Sequence, residues 1–566
     1  MAFVRTEVDG VPTLWAESGA GLRAGLVFRV GRADETLPRG GITHLVEHLV
    51  LHPIGQTDYH FNGATGPVTT TFFTQGDPEE IAQFLAAVCG VLRDLPMDRL
   101  PAERGILRTE WSGRSRGIAD PLGLWRYGAA SYGLPSYAEF GLNDLTPDDL
   151  RAWVARWFTR GNAALWVAGG PPPPQLRLDL PDGPRMPVPA PSSALPRTPA
   201  FFAADVDGIA FDAVVRRSTA AAAFAAMLDR RMHATLRRER GASYAAWATY
   251  QPRDGEYSTV TACADALPDK QREVTEAFVD VLTDVAARAV GGDDLAAVRA
   301  QAEDALLRHD AAGALLPLAA TDLLTGARIV TPRQRLDMLR EVSVEDMRAV
   351  AQEAMASGLL MVPLGQSVGR AGFVVAPASS SSAVEGRSFK SYDHPVDRRR
   401  LLIGPDGVSL VDGRQVATVR YAECAGMLSW ADGAGRCTAR TPSPSTWSRV
   451  SGACRPTCWT GWTVRSRPNG WRTCRTGSPS PCRAPGPTGR NGSGRGYGRV
   501  PRAPRSSGSP SPWSCSSSSS CSRPPGSLER SPCRSSAESR RASARPGPCR
   551  SIQPSVIPTS RACNRR

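Results

Sequence analysis

Between residues 169 and 199 the chain reads GGPPPPQLRLDLPDGPRMPVPAPSSALPRTP, eleven prolines in 31 residues. Each proline fixes φ at about −65° and removes a backbone donor, so neither a helix nor an interior strand can run through the stretch. It is a connector, and what folds must fold as one run before it and another after it. Both runs carry a similar alternation of strand-like and helix-like segments. This predicts two domains of similar make, residues 1–169 and 200–365, with a Pro-rich linker over 170–199.

In the first run GLRAGLVFRVG sets Leu26, Phe28 and Val30 at alternate positions and predicts a strand. ITHLVEHLVL and PEEIAQFLAAVCGVLRDL carry apolar residues at helical spacing, and VTTTFFTQG between them reads as a strand. LPAERGILRTEW begins a further helix, TPDDLRAWVARWF another with Thr146 as N-cap, and NAALWVAGG closes the run as a strand. After the connector FDAVVRR is strand-like, a helix runs from about Ser218 through LRRER, and SYAAWATYQP and EYSTVTACA are strands. Two long helices follow, in KQREVTEAFVDVLTDVAARA and DLAAVRAQAEDALL. Elements in this order predict an α/β or α+β fold. Beyond a second linker, 366–395, RRLLIGPDGVSLVDGRQVATVRYAEC predicts strand pairs turning at Pro-Asp-Gly and Asp-Gly, a truncated β-rich module over 396–432.

The composition then changes abruptly. The whole chain carries a formal charge of +14, yet residues 437–566 hold 23 Arg, no Lys, no Asp and only Glu529 and Glu538. The body before them is therefore mildly acidic, and nucleic acid is not expected as its partner; a nucleic-acid-binding role would rest on the basic tail alone. Only Cys89, Cys263 and Cys424 precede residue 437, which fits a cytoplasmic protein. The N-terminus has no apolar run of signal-peptide length, and no stretch approaches the roughly 20 apolar residues of a membrane span.

Residues 433–566 read as a low-complexity tail that is either disordered or translated out of frame. The run WSCSSSSSCS at 513–522 becomes apolar in a shifted frame if its serines use TCN codons, so the in-frame C-terminus would carry a segment able to anchor in a membrane. AGC serine codons in the gene would refute that reading. The tail is not expected to be a zinc module: Cys454 and Cys458 have no matching second pair, and no His lies beyond His394.

Two of only seven histidines, His44 and His48, stand four residues apart in the helix-like ITHLVEHLVL. On a helix they share one face, about 5–6 Å between Cβ atoms, so both imidazoles can reach one cation. A hydrolytic zinc centre needs three protein ligands and an open position, and Glu47 stands beside the pair as a general base for water. The third ligand is expected to be Glu110. Glu103, seven residues earlier on the same helix face, would orient a ligand from behind. Glu79 and Glu80 more simply begin a helix, and His52 stands where the zinc helix should end.

His-x-x-Glu-His is the inverzincin signature, and GGITHLVEHLVLHPIG resembles the zinc-binding helix of the insulinase/pitrilysin family. FNGATGPVTTTFF is similar to that family's Asn-Ala-Thr stretch and active-site edge strand, AERGILRTE to its Glu-x6-Glu helix, and LRRERGASY to the Arg/Tyr region of its second domain. The likeness spans about residues 10–365 and points to the processing-peptidase-like bacterial branch. It implies an α+β fold of two consecutive insulinase-type domains, each an antiparallel-rich sheet packed with helices. It also implies Zn2+ on His44, His48 and Glu110, with Glu47 activating water and Glu103 supporting the ligands. Arg237 and Tyr244 would hold substrate or the tetrahedral intermediate, and Thr70, Thr71, Phe72 and Phe73 would form the edge that pairs with peptide. Glu110 follows His48 by 62 residues, a shorter interval than is usual in the family.

The expected activity is that of a zinc metalloendopeptidase acting on short or unfolded peptides. Family members enclose substrate between two such two-domain halves, so a homodimer, or a heterodimer with a related subunit, is expected. The competing reading is a non-catalytic peptide-binding or scaffold subunit of a heterodimeric peptidase.

Overall fold

The computed structural model describes residues 3–440, apart from 20, 56–59, 115–116, 288–290, 369–370, 378–379, 391–394, 397 and 430–434, together with 471–472. The first sheet comprises β1 (Val4–Val8), β2 (Val11–Ala16), β3 (Arg23–Phe28), β4 (Phe61–Thr65), β5 (Thr70–Gln75) and β6 (Ala163–Ala168). They lie in the order β1-β2-β6-β3-β5-β4, with β2 and β6 parallel and the other neighbours antiparallel. Between them come α1 (Ile42–Leu51), α2 (Pro78–Arg93), α3 (Leu100–Gly113), α4 (Asp120–Tyr127) and α5 (Pro147–Trp157). Thr146 caps α5 in a box with Asp149, and Asp77 caps α2 in a box with Glu80. Glu79 and Glu80 thus lie in the first turn of a helix.

After the connector the plan repeats. The second sheet holds β7 (Ala200–Ala204), β8 (Gly208–Arg216), β9 (Ala246–Pro252), β10 (Tyr257–Asp265), β11 (Leu359–Pro363) and β12 (Val374–Val375). Its order, β12-β7-β11-β8-β10-β9, matches the first sheet over five strands, with β7 parallel to β11 as β2 is to β6; the sixth differs, since β12 comes last and runs parallel to β7 where β1 comes first and is antiparallel to β2. Its helices are α6 (Thr219–Met232), α7 (Gln271–Ala287), α8 (Gly292–Leu307), α9 (Ala311–Thr325), α10 (Pro332–Glu341) and α11 (Val344–Ser357). The fold is α+β, with two antiparallel-rich sheets each packed by helices.

Each half also lends a helix to the other. From α9, Ala312, Leu316, Ala319 and Ala320 pack on Leu14, Ala164 and Trp166 of the first sheet; from α4, Leu122, Leu124 and Trp125 pack on Phe202, Ala210 and Met361 of the second. Arg126 of α4 locks this exchange. Its Nη2 donates to the Asp212 carbonyl at 2.7 Å, its Nη1 to the Ser357 carbonyl at 3.0 Å, and its Nε to the Asp212 carboxylate.

The connector forms no helix or strand, yet it is not a loose tether. Leu176, Leu178 and Leu180 stand at alternate positions, and each inserts into the first core at 1 % exposure. Downstream, β13 (Arg387–Lys390), β14 (Arg400–Ile403), β15 (Gly407–Asp412) and β16 (Gln415–Arg420) make an antiparallel meander, turning at the expected Pro-Asp-Gly and Asp-Gly. β17 (Cys424–Ser429) then pairs with β18 (Gly435–Ala439) and with residues 471–472. β18 lies past residue 432, where the alternating pattern ends in sequence; pairing with β17 supplies what so short a run cannot show. The rest of the tail lies outside the described residues. No helix among the described residues is long and apolar enough to cross a membrane.

Candidate metal centre

The helix carrying the two histidines is anchored by its other side. Ile42, Leu45, Val46, Leu49 and Val50 of α1 are fully buried in the first core, each contributing about 1.5–3 kcal/mol. That burial outweighs the modest helix propensity of its Val, Ile, Thr and His. The start of α1 is set by Gly41, at φ +94°, where any Cβ would also meet Glu139 Cβ at 2.7 Å. It is capped by a residue without a sequence signal: Glu35 accepts from the N–H groups of Gly41 at 2.8 Å and Thr43 at 3.0 Å. Burial pushes the Glu35 carboxyl up to about 7 against the opposing pull of Arg32 and these backbone donors.

His44 and His48 turn away from the core, rings edge to face at 4.9 Å between centroids. α3 packs against α1 and brings Glu110 over them: Glu110 Oε1 is 4.0 Å from His44 Nε2, and Oε2 is 3.6 Å from His48 Nε2. Among the described residues this trio is the group of His, Cys and acidic side chains whose ligand atoms converge, all within 4.8 Å of one another. Ligands of tetrahedral zinc stand about 3.4 Å apart, given bonds of about 2.1 Å. The Glu110 side chain, 57 % exposed, is free to close that difference.

Behind the ligand atoms each imidazole meets a carboxyl group through Nδ1. Glu103 Oε2 lies 3.3 Å from His48, and Glu139 Oε1 lies 2.9 Å from His44. Glu103 also approaches His52 Nδ1 at 3.6 Å and Arg99 at 3.4 Å, so His52 turns to Glu103 at the end of α1 and is not in the ligand group. Burial disfavours the charged form of His44, but the hydrogen bond and charge of Glu139, joined by Glu47 and Glu110, outweigh it and raise its pKa to about 9. Burial likewise raises Glu139, and His44 together with Arg32 brings it below the ordinary carboxylate range. Four carboxyl groups thus surround two imidazoles, an excess of negative charge that a divalent cation would offset in part. The donor set, two imidazole nitrogens with a carboxylate and no thiolate, suits zinc.

Glu47 is held beside this group by β4. Its Oε2 accepts from Thr65 Oγ1 at 2.5 Å, and the Glu47 side chain fills the place a Cβ on Gly63 would take, 2.7 Å from such an atom. β4 is also an edge strand of the first sheet, β1 being the other. The expectation that Thr70–Phe73 form that edge is corrected here: β5 is paired with β3 on one side and β4 on the other, and Thr70 and Phe72 are fully buried. Phe61–Thr65 and Thr70–Gln75 are two arms of one hairpin, and Phe61–Thr65 is the outer one.

Arg237 and Tyr244 lie elsewhere. Arg237 belongs to a π-helix, His233–Glu239, that continues α6, and its guanidinium sits 5.2 Å from the Tyr244 ring centre. Tyr244 is 79 % exposed. Its loop is fixed by Asp265, which accepts from Ser243 Oγ at 2.6 Å and from the N–H groups of Tyr244 and Ala245 at 2.9 Å. Among the described residues no hydrogen bond, ion pair or ring contact joins Arg237 or Tyr244 to His44, Glu47, His48 or Glu110.

No family model matches the sequence, and no curated protein does. Solved structures do. A protease from Helicobacter pylori is 15 % identical with a TM-score of 0.54, the match covering 64 % of this chain and 98 % of that one. The inactive domain of a peptidase M16 from Pseudomonas fluorescens is 13 % identical, TM-score 0.54, over 65 % of this chain and 98 % of that one. The first half of the periplasmic protease PqqL from Escherichia coli is 13 % identical, TM-score 0.51, over 64 % and 92 %. At these identities the likeness is one of fold: the chain has the fold of M16 peptidases, the insulinase/pitrilysin type.

Proposed function

We propose that this chain is a zinc-dependent endopeptidase that hydrolyses short or unfolded peptides. The observation that carries the reading is the convergence of His44 Nε2, His48 Nε2 and the Glu110 carboxylate within 4.8 Å, beside a Glu47 held at an edge strand. When bound, zinc supplies the Lewis acidity that makes water nucleophilic near neutral pH. His44, His48 and Glu110 would hold the ion. Glu47 takes the proton of the attacking water and returns it to the leaving amine, and Thr65 keeps its carboxylate oriented. A peptide adds to β4 as a further strand, bound through its backbone, so the demand is for extended chain more than for sequence.

The chain covers 92 % of the first half of PqqL but 57 % of full-length PqqL. This supports action as one half of a pair, with a second copy or a related subunit closing the site. Tyr244 suits that arrangement, being exposed with Arg237 stacked on it and in no contact with its own chain's zinc group. Such a pair would offer a cation and a phenol to the developing oxyanion or to substrate. Buried thiols at Cys89 and Cys263 are in keeping with a cytoplasmic setting.

The test is cleavage of a quenched-fluorescent library of unstructured peptides by the full chain and by Glu47→Gln. The variant should retain zinc and lose about 10²–10⁴-fold in rate. Equal cleavage by both proteins would refute the role of Glu47. Zinc in the parent with no cleavage of any peptide would favour a non-catalytic subunit.

A further inference from the structure

Of the two carboxyl groups behind the histidines, Glu139 is the more closely engaged. It comes from the loop after the short helix Ser131–Ser136, 95 residues from His44 in sequence, and its side chain is 5 % exposed. We propose that Glu139 is a positioning residue for the metal centre: it accepts the Nδ1–H of His44, and so fixes the tautomer and ring orientation that leave the Nε2 lone pair facing His48 and Glu110. The inference rests on the zinc reading and adds a residue to it.

Three observations support the assignment. The contact is 2.9 Å, against 3.3 Å for Glu103 and His48, and Glu103 is divided among His48, His52 and Arg99. The Glu139 carboxylate is backed by Arg32, whose Nε lies 3.9 Å away and whose guanidinium donates to the carbonyls of Tyr137 at 2.9 Å and Pro135 at 3.4 Å. That arginine therefore ties the loop and the carboxylate into one unit. The loop in turn is seated on the start of α1, with the Gly141 N–H donating to the Gly40 carbonyl at 2.9 Å and Gly41 left without a side chain where Glu139 Cβ passes. A free imidazole has two neutral tautomers of similar energy. A buried acceptor on Nδ1 selects one of them, and carboxylate partners of this kind typically change metal affinity by about 10–100-fold when removed.

The test measures zinc affinity of the full chain by competition with a chelating dye, for the parent, Glu139→Ala, Glu139→Gln and Glu103→Ala. It is paired with a long-range 15N–1H spectrum that reports which nitrogen of His44 carries the proton in the zinc-loaded protein. The expected results are a loss of about 10–100-fold for Glu139→Ala, a smaller loss for Glu103→Ala, and partial recovery in Glu139→Gln, whose amide oxygen still accepts. The parent spectrum should show His44 protonated on Nδ1. Should the alanine variant not fold, Glu139→Gln and the parent spectrum decide: Nδ1–H retained in both supports the inference. Unchanged affinity in Glu139→Ala, or His44 bound to metal through Nδ1, overturns it alone. A parent that takes up no zinc overturns the function proposed above together with this inference.

Discussion

Gly63 offers a way to move the proposed general base without touching a ligand. A Cβ at this position would stand 2.7 Å from Glu47 Cγ, 2.8 Å from Oε1 and 3.0 Å from Cδ. Ordinary contact begins at about 3.4 Å, so Gly63→Ala must push the Glu47 side chain by roughly 0.7 Å, and the Thr65 hydrogen bond that holds the carboxylate goes with it. The overpacking should cost about 1–3 kcal/mol of stability. A misplacement of this order in a reacting group costs about 10²-fold in rate. The nearest atoms that a Cβ at Gly63 meets all belong to Glu47 and none to His44 or His48, so zinc content should stay that of the parent. The assay is peptide cleavage beside zinc content per folded chain. Full activity in Gly63→Ala would refute the placing of Glu47 as base, and loss of zinc with retained fold would refute the separation of base from ligands.

Glu35 gives a pH signature. Its folded pKa, about 7, lies above its ordinary 4.5, so folding favours the protonated form; the stabilisation is complete below about pH 4.5 and is lost as pH rises through 7. In Glu35→Gln the difference in unfolding free energy from the parent should therefore change by about 3 kcal/mol between pH 4.5 and 8; a pH-independent difference by urea unfolding would contradict the burial of a protonated acid. Arg126→Met removes one partner of a buried ion pair between the halves and should cost about 3–5 kcal/mol by the same method, with zinc binding in the folded fraction unchanged. A cost under 1 kcal/mol would mean that helix exchange does not depend on that pair.

Periodicity made α1 legible to the residue, because a helix buried on one side must repeat its apolar positions: the run expected over 42–51 is Ile42–Leu51. The repeat of the plan across the prolines was readable for the same reason. What stayed hidden depends on contacts between distant segments. Glu35 and Glu139 stand in irregular loops where nothing periodic marks them, although a buried acid shortly before a glycine-led helix start is a signal that could be sought. The outer arm of the β4–β5 hairpin was misplaced because two adjacent strand-like runs look alike until their other partners are known, and β5 finds β3. The swap of α4 and α9 between sheets leaves no mark in either helix, since each is simply apolar on one side.

The most direct measurement is the zinc content of the purified full chain, beside His48→Ala and Glu110→Gln. The account predicts close to one zinc per parent chain and loss of it in both variants. Zinc retained in Glu110→Gln would mean that the third ligand lies elsewhere. A parent that stays empty after metal is supplied would contradict the zinc centre itself.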